Sequence, residues 1–197
     1  MDAAIPLKEE LVEILVEELS MKNLLLIILP QILPEGYAIG GNCFVRVHEG
    51  KQDLHKQLPS RVRAYQYYNK PCKVIVIQDQ DSNNCIELKQ KIQHLIVENA
   101  ALDNLIRIAC YELEAWYIGD LDAIEKVYSK FKAVSYKNKV LFRNPDTVVN
   151  PSVELKRLIP PFQKGLASKE IPKFMNIQQN RSVSFNHLVN GIIRFLS

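Results

Sequence analysis

The 197-residue chain has no apolar run long enough to cross a bilayer: its longest, residues 24–29, is closed by Pro30. A membrane-spanning helix needs about 20 such residues, so no membrane contact is expected. The N-terminus carries no basic stretch before an apolar one, so no secretory signal is visible. Cysteine is sparse. Cys43, Cys72, Cys85 and Cys110 are scattered, and no two have a metal-ligand spacing. That argues against a zinc module or a disulfide scaffold, and free thiols in a reducing cytoplasm are expected. The lone Gly50-Lys51 lacks the other residues of a Walker loop. Repeats, low-complexity tracts and a clear linker are missing as well. What remains, 47% hydrophobic and 24% charged residues, fits an ordinary soluble globular protein with one full core.

The net charge of +3 conceals an uneven distribution. Residues 1–129 hold 13 Lys and Arg against 19 Asp and Glu, a net of −6; residues 130–197 hold 12 against 3, a net of +9. A basic third on an acidic body suits a polyanionic partner, and Lys137, Lys139, Arg143 and Arg181 are its candidate phosphate contacts. An unevenly charged solvated surface, with these residues in packing salt bridges, is the competing reading.

The apolar pattern alternates short β-branched runs with helical segments. Strands are expected over residues 13–17, 37–47 (with a bulge at Gly40-Gly41), 74–77 and 105–109. Helices are expected over residues 20–33, kinked or stopped by Pro30, and over 54–68, capped by Asp53. Further helices are expected over 86–97 and from residue 111 to 118, with Asp120 capping the next. Strand–helix alternation implies right-handed crossovers and a mostly parallel α/β sheet. Past residue 129 the pattern changes to polar basic sequence, a short helix from Asn150-Pro151 to Pro160, and a last helix capped by Ser182 or Ser184. One α/β core over residues 1–129 with a mainly helical extension over 130–197 is the economical division.

The third strand ends in Gln78-Asp79-Gln80-Asp81. In extended chain, Asp79 and Asp81 point the same way, about 7 Å apart. Their repulsion is roughly 2 kcal/mol at an effective dielectric near 20. A hard cation such as Mg²⁺ reverses that term, and strand carboxyl ends are where open α/β sheets bind ligands. Turning the chain and capping the next helix is the other role open to Asp81. Three further strand ends carry candidates: Glu17 and Glu18 after the first, His48 and Lys51 after the second, Glu112 and Glu114 after the fourth. Glu112 is favoured over Glu114 as a second metal ligand, since Leu113 and Trp116 pack the same helix. Both acids also suit the positive end of that helix.

A glutamate after the first strand with Asp-x-Asp after the third resembles the Toprim domain of topoisomerases, primases and overcoming-lysogenization-defect nucleases. Val16-Glu17-Glu18, Gly50-Lys51-Gln52-Asp53-Leu54, Arg107-Ile108-Ala109-Cys110, Glu112-Leu113-Glu114-Ala115-Trp116, Arg143-Asn144-Pro145-Asp146 and Ser182-Val183-Ser184-Phe185 narrow the likeness. Together they resemble an uncharacterised, Toprim-like family of bacterial proteins known by a domain-of-unknown-function label. The resemblance implies an acid/base or metal role for Glu17, and Mg²⁺ or Mn²⁺ held by Asp79 and Asp81. Lys51 would neutralise phosphate. One departure stands out: Glu18 occupies the place where many Toprim proteins have glycine, which leaves Glu18 as an alternative working acid. The expected function is metal-dependent phosphoryl transfer on nucleic acid, nuclease-like. The alternative is a non-catalytic module that binds nucleic acid or an ATPase; relatives often accompany ATPases, some in phage defence.

Overall fold

Each β-branched run of the first 110 residues becomes a strand of one sheet. In the computed structural model, which describes residues 6–197, the strands are β1 (Leu11–Val16), β2 (Cys43–Val47), β3 (Cys72–Asp79) and β4 (Asn104–Ala109). All pair in parallel, in the order β2-β1-β3-β4. The register sets Ile14 opposite both Val45 and Ile75, and Val16 opposite both Val47 and Ile77. The central strands are buried on both faces, so they do not alternate: β3 holds the unbroken run Val74–Ile77, and β1 is apolar except for Glu13, which is buried and paired with Arg46 at 2.8 Å.

Alternate residues feed two cores. Val12, Ile14, Ile75 and Ile77 pack on one face with α1 (Leu19–Ile32) and the C-terminal helices; Leu15, Val74 and Val76 pack on the other with α2 (Lys51–Tyr65) and α3 (Cys85–Val97). Helices α4 (Glu114–Ile118), α5 (Leu121–Val127), α6 (Val140–Arg143), α7 (Pro151–Leu158), α8 (Lys164–Glu170) and α9 (Val183–Leu196) complete the chain. From α9, Phe185, Leu188, Ile192 and Leu196 enter the same core as Val12 and Ile14, so the basic third packs directly against the sheet layer. The fold is thus α/β, with a four-stranded parallel sheet flanked by helices and closed by a C-terminal helix.

Several local expectations are corrected by backbone geometry. Strand β2 begins only at Cys43, because Gly40 (φ +80°) and its neighbours form a turn instead of a bulge. Pro30 does not stop α1; the carbonyl it leaves without a donor belongs to Leu26, a partly exposed position where water can take over. Glu18, not Ser20, stands at the N-cap of α1. Gly50 (φ +86°) starts α2 three residues ahead of Asp53, whose carboxylate instead accepts from the Glu49 amide at 3.1 Å. Asn84, rather than Asp81, caps α3 by accepting from the Ile86 and Glu87 amides. After β4 the chain turns through Tyr111 at φ +56°, which delays α4 to Glu114. Asp120 caps α5 and Ser182 caps α9, as their positions ahead of apolar runs imply. All four cysteines are free, Cys43 and Cys72 buried.

Helix α4 is fixed from its buried side. Trp116 Nε1 donates to Ser184 Oγ at 2.8 Å, and Asp146 gathers Ser182 Oγ (2.6 Å) and the Ser184 amide (2.7 Å). Asn180 Nδ2 donates to the Trp116 carbonyl at 2.8 Å, next to Gly119, where a Cβ would fall 2.0 Å from Asn180 Oδ1. These bonds lie between groups far apart in sequence, and they hold the first turn of α4 over the carboxyl end of β3.

Candidate functional site

Between β1 and β3 the connections leave in opposite directions: β1 is followed by its neighbour β2, β3 by its neighbour β4. Such a reversal opens a crevice at the strands' carboxyl ends, the usual ligand site of open parallel sheets. Glu17 is the first residue beyond β1, and Asp79 is the last of β3. Because Val16 pairs with Ile77, the Glu17 side chain lies alongside the end of β3. Glu114 approaches from the start of α4, and its side chain is buried. One oxygen on each, Glu17 Oε2, Asp79 Oδ1 and Glu114 Oε2, is buried without a hydrogen-bond partner among the described residues.

Electrostatics record the crowding. Burial, then the charges of Asp81 and Glu18, push the Glu17 carboxyl up to about 7. Asp79 is held well above the usual carboxylate range by burial and by Glu114 and Glu17, with the Leu113 amide partly offsetting them. Glu114 is pushed up to about 7 by burial, although Lys164 works against that. Asp79 thus lies between acids from two other chain segments, and their charges disfavour its own.

Asp81 does not continue the strand. Its φ of +52° turns the chain, and its amide donates to the Tyr111 carbonyl at 2.7 Å, tying the loop after β3 to the loop after β4. The two carboxylates of Asp-x-Asp therefore diverge: Asp79 faces Glu114, and Asp81 accepts from Lys51 Nζ at 2.6 Å. Glu17 is the neighbour both share, since each of the two is coupled to it. Lys51 is the first residue of α2, and its bond to Asp81 holds its ammonium above the ordinary value.

Glu112 occupies a different place from Glu114. It accepts from the Ser152 amide at 2.9 Å in the first turn of α7, and Lys164 Nζ lies 3.5 Å away. Burial acts against its charge, but Ser152 and Lys164 outweigh burial and hold the carboxyl below its ordinary value. Both Glu112 oxygens are thus engaged, while Glu114 keeps the orphaned one. Glu18 is exposed at the N-cap of α1.

Lys164 was not singled out by the sequence. Its Nζ lies 3.5 Å from Glu112 Oε1 and 3.6 Å from Glu114 Oε2. Burial opposes its charge, yet Glu114, Glu112 and Asp79 together hold the ammonium above its ordinary value. A lysine in Phe162-Gln163-Lys164-Gly165 carries no motif; only the fold brings it to the sheet edge.

The proposed phosphate contacts lie in their own neighbourhood. Lys137 pairs with Asp122 at 2.5 Å, and Arg181 donates to the Lys137 carbonyl at 3.1 Å; both line a cavity of about 390 Å³ that also holds Asp120 and Lys126. Lys139 sits 4.3 Å from the Tyr136 ring centroid, and Arg143 donates to the Asn138 carbonyl at 3.2 Å.

Residues 16–193 match the family described as Domain of unknown function (DUF4276). The chain belongs to this family. No curated protein and no solved structure matches the chain. The span matched to DUF4276 starts at Val16, next to Glu17, and ends at Ile193 in α9, so it takes in every acid named above and Lys164.

For a divalent cation, the DUF4276 chain offers donors of the right kind: orphaned carboxylate oxygens at a strand edge. Among the described residues, no three His, Cys, Asp or Glu side chains stand at the spacing that holds an ion jointly. Mg²⁺ does not require that closure, because it keeps several waters and takes one or two protein carboxylates.

Proposed function

We propose that this chain is a Mg²⁺- or Mn²⁺-dependent phosphoryl-transfer enzyme with a Toprim-like core, acting on nucleic acid in the manner of a nuclease. The observation that carries the reading is the set of orphaned oxygens on Glu17, Asp79 and Glu114 at the sheet's switch point. Buried acids that lack hydrogen-bond partners are unfavourable for folding, and perturbed acids of this kind concentrate where a charged ligand is bound.

Asp79 would hold the cation, with Asp81 joining it after release from Lys51. When bound, the metal supplies charge neutralisation to a phosphate and a more acidic water. Glu17, with its carboxyl near 7, is poised to take or give a proton at neutral pH. Lys51 and Lys164 supply fixed positive charge on opposite sides of the acids, suited to phosphate oxygens. Glu112 would position Lys164 through its anchored carboxylate. The +9 balance of residues 130–197 adds non-specific attraction for a polyanion.

A second reading is favoured by one observation: Lys51 and Lys164 already neutralise Asp81, Glu112 and Glu114. Such pairing suits a non-catalytic module that binds nucleic acid or an ATPase. Incubation with supercoiled DNA, single-stranded DNA and RNA separates the two, in Mg²⁺, Mn²⁺ or chelator. The enzyme reading expects metal-dependent cleavage that Glu17→Gln abolishes, and a metal-induced rise in melting temperature that Asp79→Asn abolishes. Equal metal shifts in the parent and in Asp79→Asn would remove the site.

A further inference from the structure

The outer edge of β4 is a second place where the molecule is incomplete. Among the described residues β4 pairs only with β3, so the sheet ends there. In a parallel ladder, alternate residues bond to the same neighbour. The Asp103 and Ala109 carbonyls accept from β3-side amides, Val74 and Gln80, so the odd-numbered residues of β4 face β3. The amide and carbonyl groups of Ile106 and Ile108 consequently point away from the sheet.

A cavity of about 690 Å³ runs along that edge, with α3 forming one wall and α9 the other. Its floor is Leu105–Ile108, its apolar wall includes Val183 and Phe195, and its cations are Lys89, Arg107 and Arg194. Arg107 is the informative one. Its Nε donates to the His187 carbonyl at 2.9 Å and its Nη1 to the Ile106 carbonyl at 2.9 Å. The guanidinium lies so close to α9 that a Cβ on Gly191 would fall 2.2 Å from Nη2. Among the described residues no carboxylate pairs with it. The one acid lining the cavity, Asp146, is already engaged by Ser182 and Ser184.

We propose that this groove takes an extended, acidic segment of a partner protein, which adds to β4 as a fifth strand. Exposed edge strands pair readily with extended chains, main-chain bonds giving affinity and side-chain pockets giving specificity. The Ile106 carbonyl is held by Arg107 Nη1, but the Ile106 amide and both main-chain groups of Ile108 make no bond to β3, and they call for a peptide backbone rather than a sugar-phosphate one. A half-buried guanidinium without a counter-ion, flanked by Lys89 and Arg194, calls for carboxylates on it. Apolar residues at alternate positions would meet Val183 and Phe195. The groove ends at Cys110, one residue before the Tyr111 turn that braces Asp81, so an added strand would end beside the carboxylate site. The proposal does not depend on what that site does.

The test uses the full chain and a fluorescein-labelled hexapeptide of alternating glutamate and valine, followed by fluorescence polarisation and by amide hydrogen exchange. The expected result is saturable binding that slows exchange at the Ile106 and Ile108 amides. Charge reversal at two exposed positions, Lys89→Glu with Arg194→Glu, should weaken it about tenfold or more. A peptide N-methylated at alternate amides should not bind. Absence of saturable binding up to ~1 mM would overturn the proposal. So would equal binding of the N-methylated peptide or of a lysine–valine counterpart. Displacement by an equal concentration of oligothymidylate, with no protection at Ile106 and Ile108, would assign the groove to nucleic acid instead.

Discussion

Lys51 Nζ stands 2.6 Å from Asp81 Oδ2, and this ion pair joins the first residue of α2 to the left-handed turn after β3. Both side chains are more than a third exposed, so water screens the pair and its contribution to stability is at most about 1 kcal/mol. Its consequence is chemical. Asp81 is held away from Asp79 by a cation that a metal ion would have to replace. Lys51→Met is therefore expected to leave the melting temperature in chelator within a few degrees of the parent, while enlarging the shift produced by Mg²⁺. Thermal melting with and without Mg²⁺ measures both. An unchanged metal shift would mean that Asp81 is not a ligand.

The contribution of Glu17 and Glu114 to stability should fall as pH rises from about 5 to about 7.5 when no divalent cation is present, against an opposite contribution from His48 and His55, which burial holds below their ordinary value. Glu17 and Glu114 have folded-state values near 7, above the 4.5 of the ordinary glutamate. Between those limits each binds more protons in the folded chain than in the unfolded one, so its contribution to the slope of unfolding free energy with pH is negative. For Glu114, which is almost fully buried, the loss across the window is on the order of 2 kcal/mol. Glu114→Gln should remove that loss and raise the melting temperature at pH 8. Chemical denaturation of parent and variant at four or five pH values would show it, and a stability difference between them that does not change over this window would refute the buried-acid account.

The apolar runs made the sheet and its parallel order legible, because strands buried on both faces leave mostly apolar sequence, unbroken at Val74–Ile77 in β3 and interrupted only by Glu13 within β1. Glu17 and Asp79 were legible for the same reason, as the polar residues where such runs stop. The path of the chain beyond them was not. Asp81 and Tyr111 adopt left-handed backbone without being glycine; a turn was one of the two roles open to Asp81, but nothing marks Tyr111. That one turn sends Asp81 to Lys51. The preference for Glu112 over Glu114 rested on Leu113 and Trp116 packing the same helix; in the fold Glu112 is anchored by the Ser152 amide and Lys164, while Glu114 is the more deeply buried acid. Every residue of α4 is buried, so Glu114 is an acid inside an otherwise apolar segment, Ala115-Trp116-Tyr117-Ile118, and that neighbourhood is the signal that could have flagged it. Lys164 had no local signal at all.

The basic third should confer salt-dependent affinity for nucleic acid. Lys139 and Arg143 make no carboxylate pair among the described residues, whereas Lys137 is tied to Asp122. Neutralising Lys137, Lys139 and Arg143 together should weaken binding to unrelated sequences alike. Each phosphate that the variant no longer neutralises reduces the slope of log affinity against log salt by about 0.9 for duplex DNA. Fluorescence anisotropy across a salt series reads that slope directly. A triple variant indistinguishable from the parent at every salt concentration would leave these residues as a solvated face.

Lys164 offers the sharpest separation of an electrostatic role from a packing one. Its ammonium lowers the Glu114 carboxyl and helps hold Glu112 ionised, and its own folded-state value is raised. A raised lysine stabilises the fold throughout the range below its ordinary value of 10.5, provided its partners are charged. At pH 8 Glu114 and Glu112 are both largely ionised; at pH 5 Glu114 is protonated, and one partner of the cation is gone. Lys164→Met keeps the length and apolar stem of the side chain while deleting the charge. It should therefore lower stability at pH 8 by roughly 1 kcal/mol, allowing for solvent screening of a side chain 38% exposed. At pH 5 the loss should be smaller. Mg²⁺ at pH 8 should restore part of the difference, since a divalent ion can neutralise the same acids. Urea denaturation at the two pH values, with and without Mg²⁺, gives all of these quantities. Equal losses at pH 5 and pH 8 would show that Lys164 acts through packing, and would remove it from the charge balance of the site.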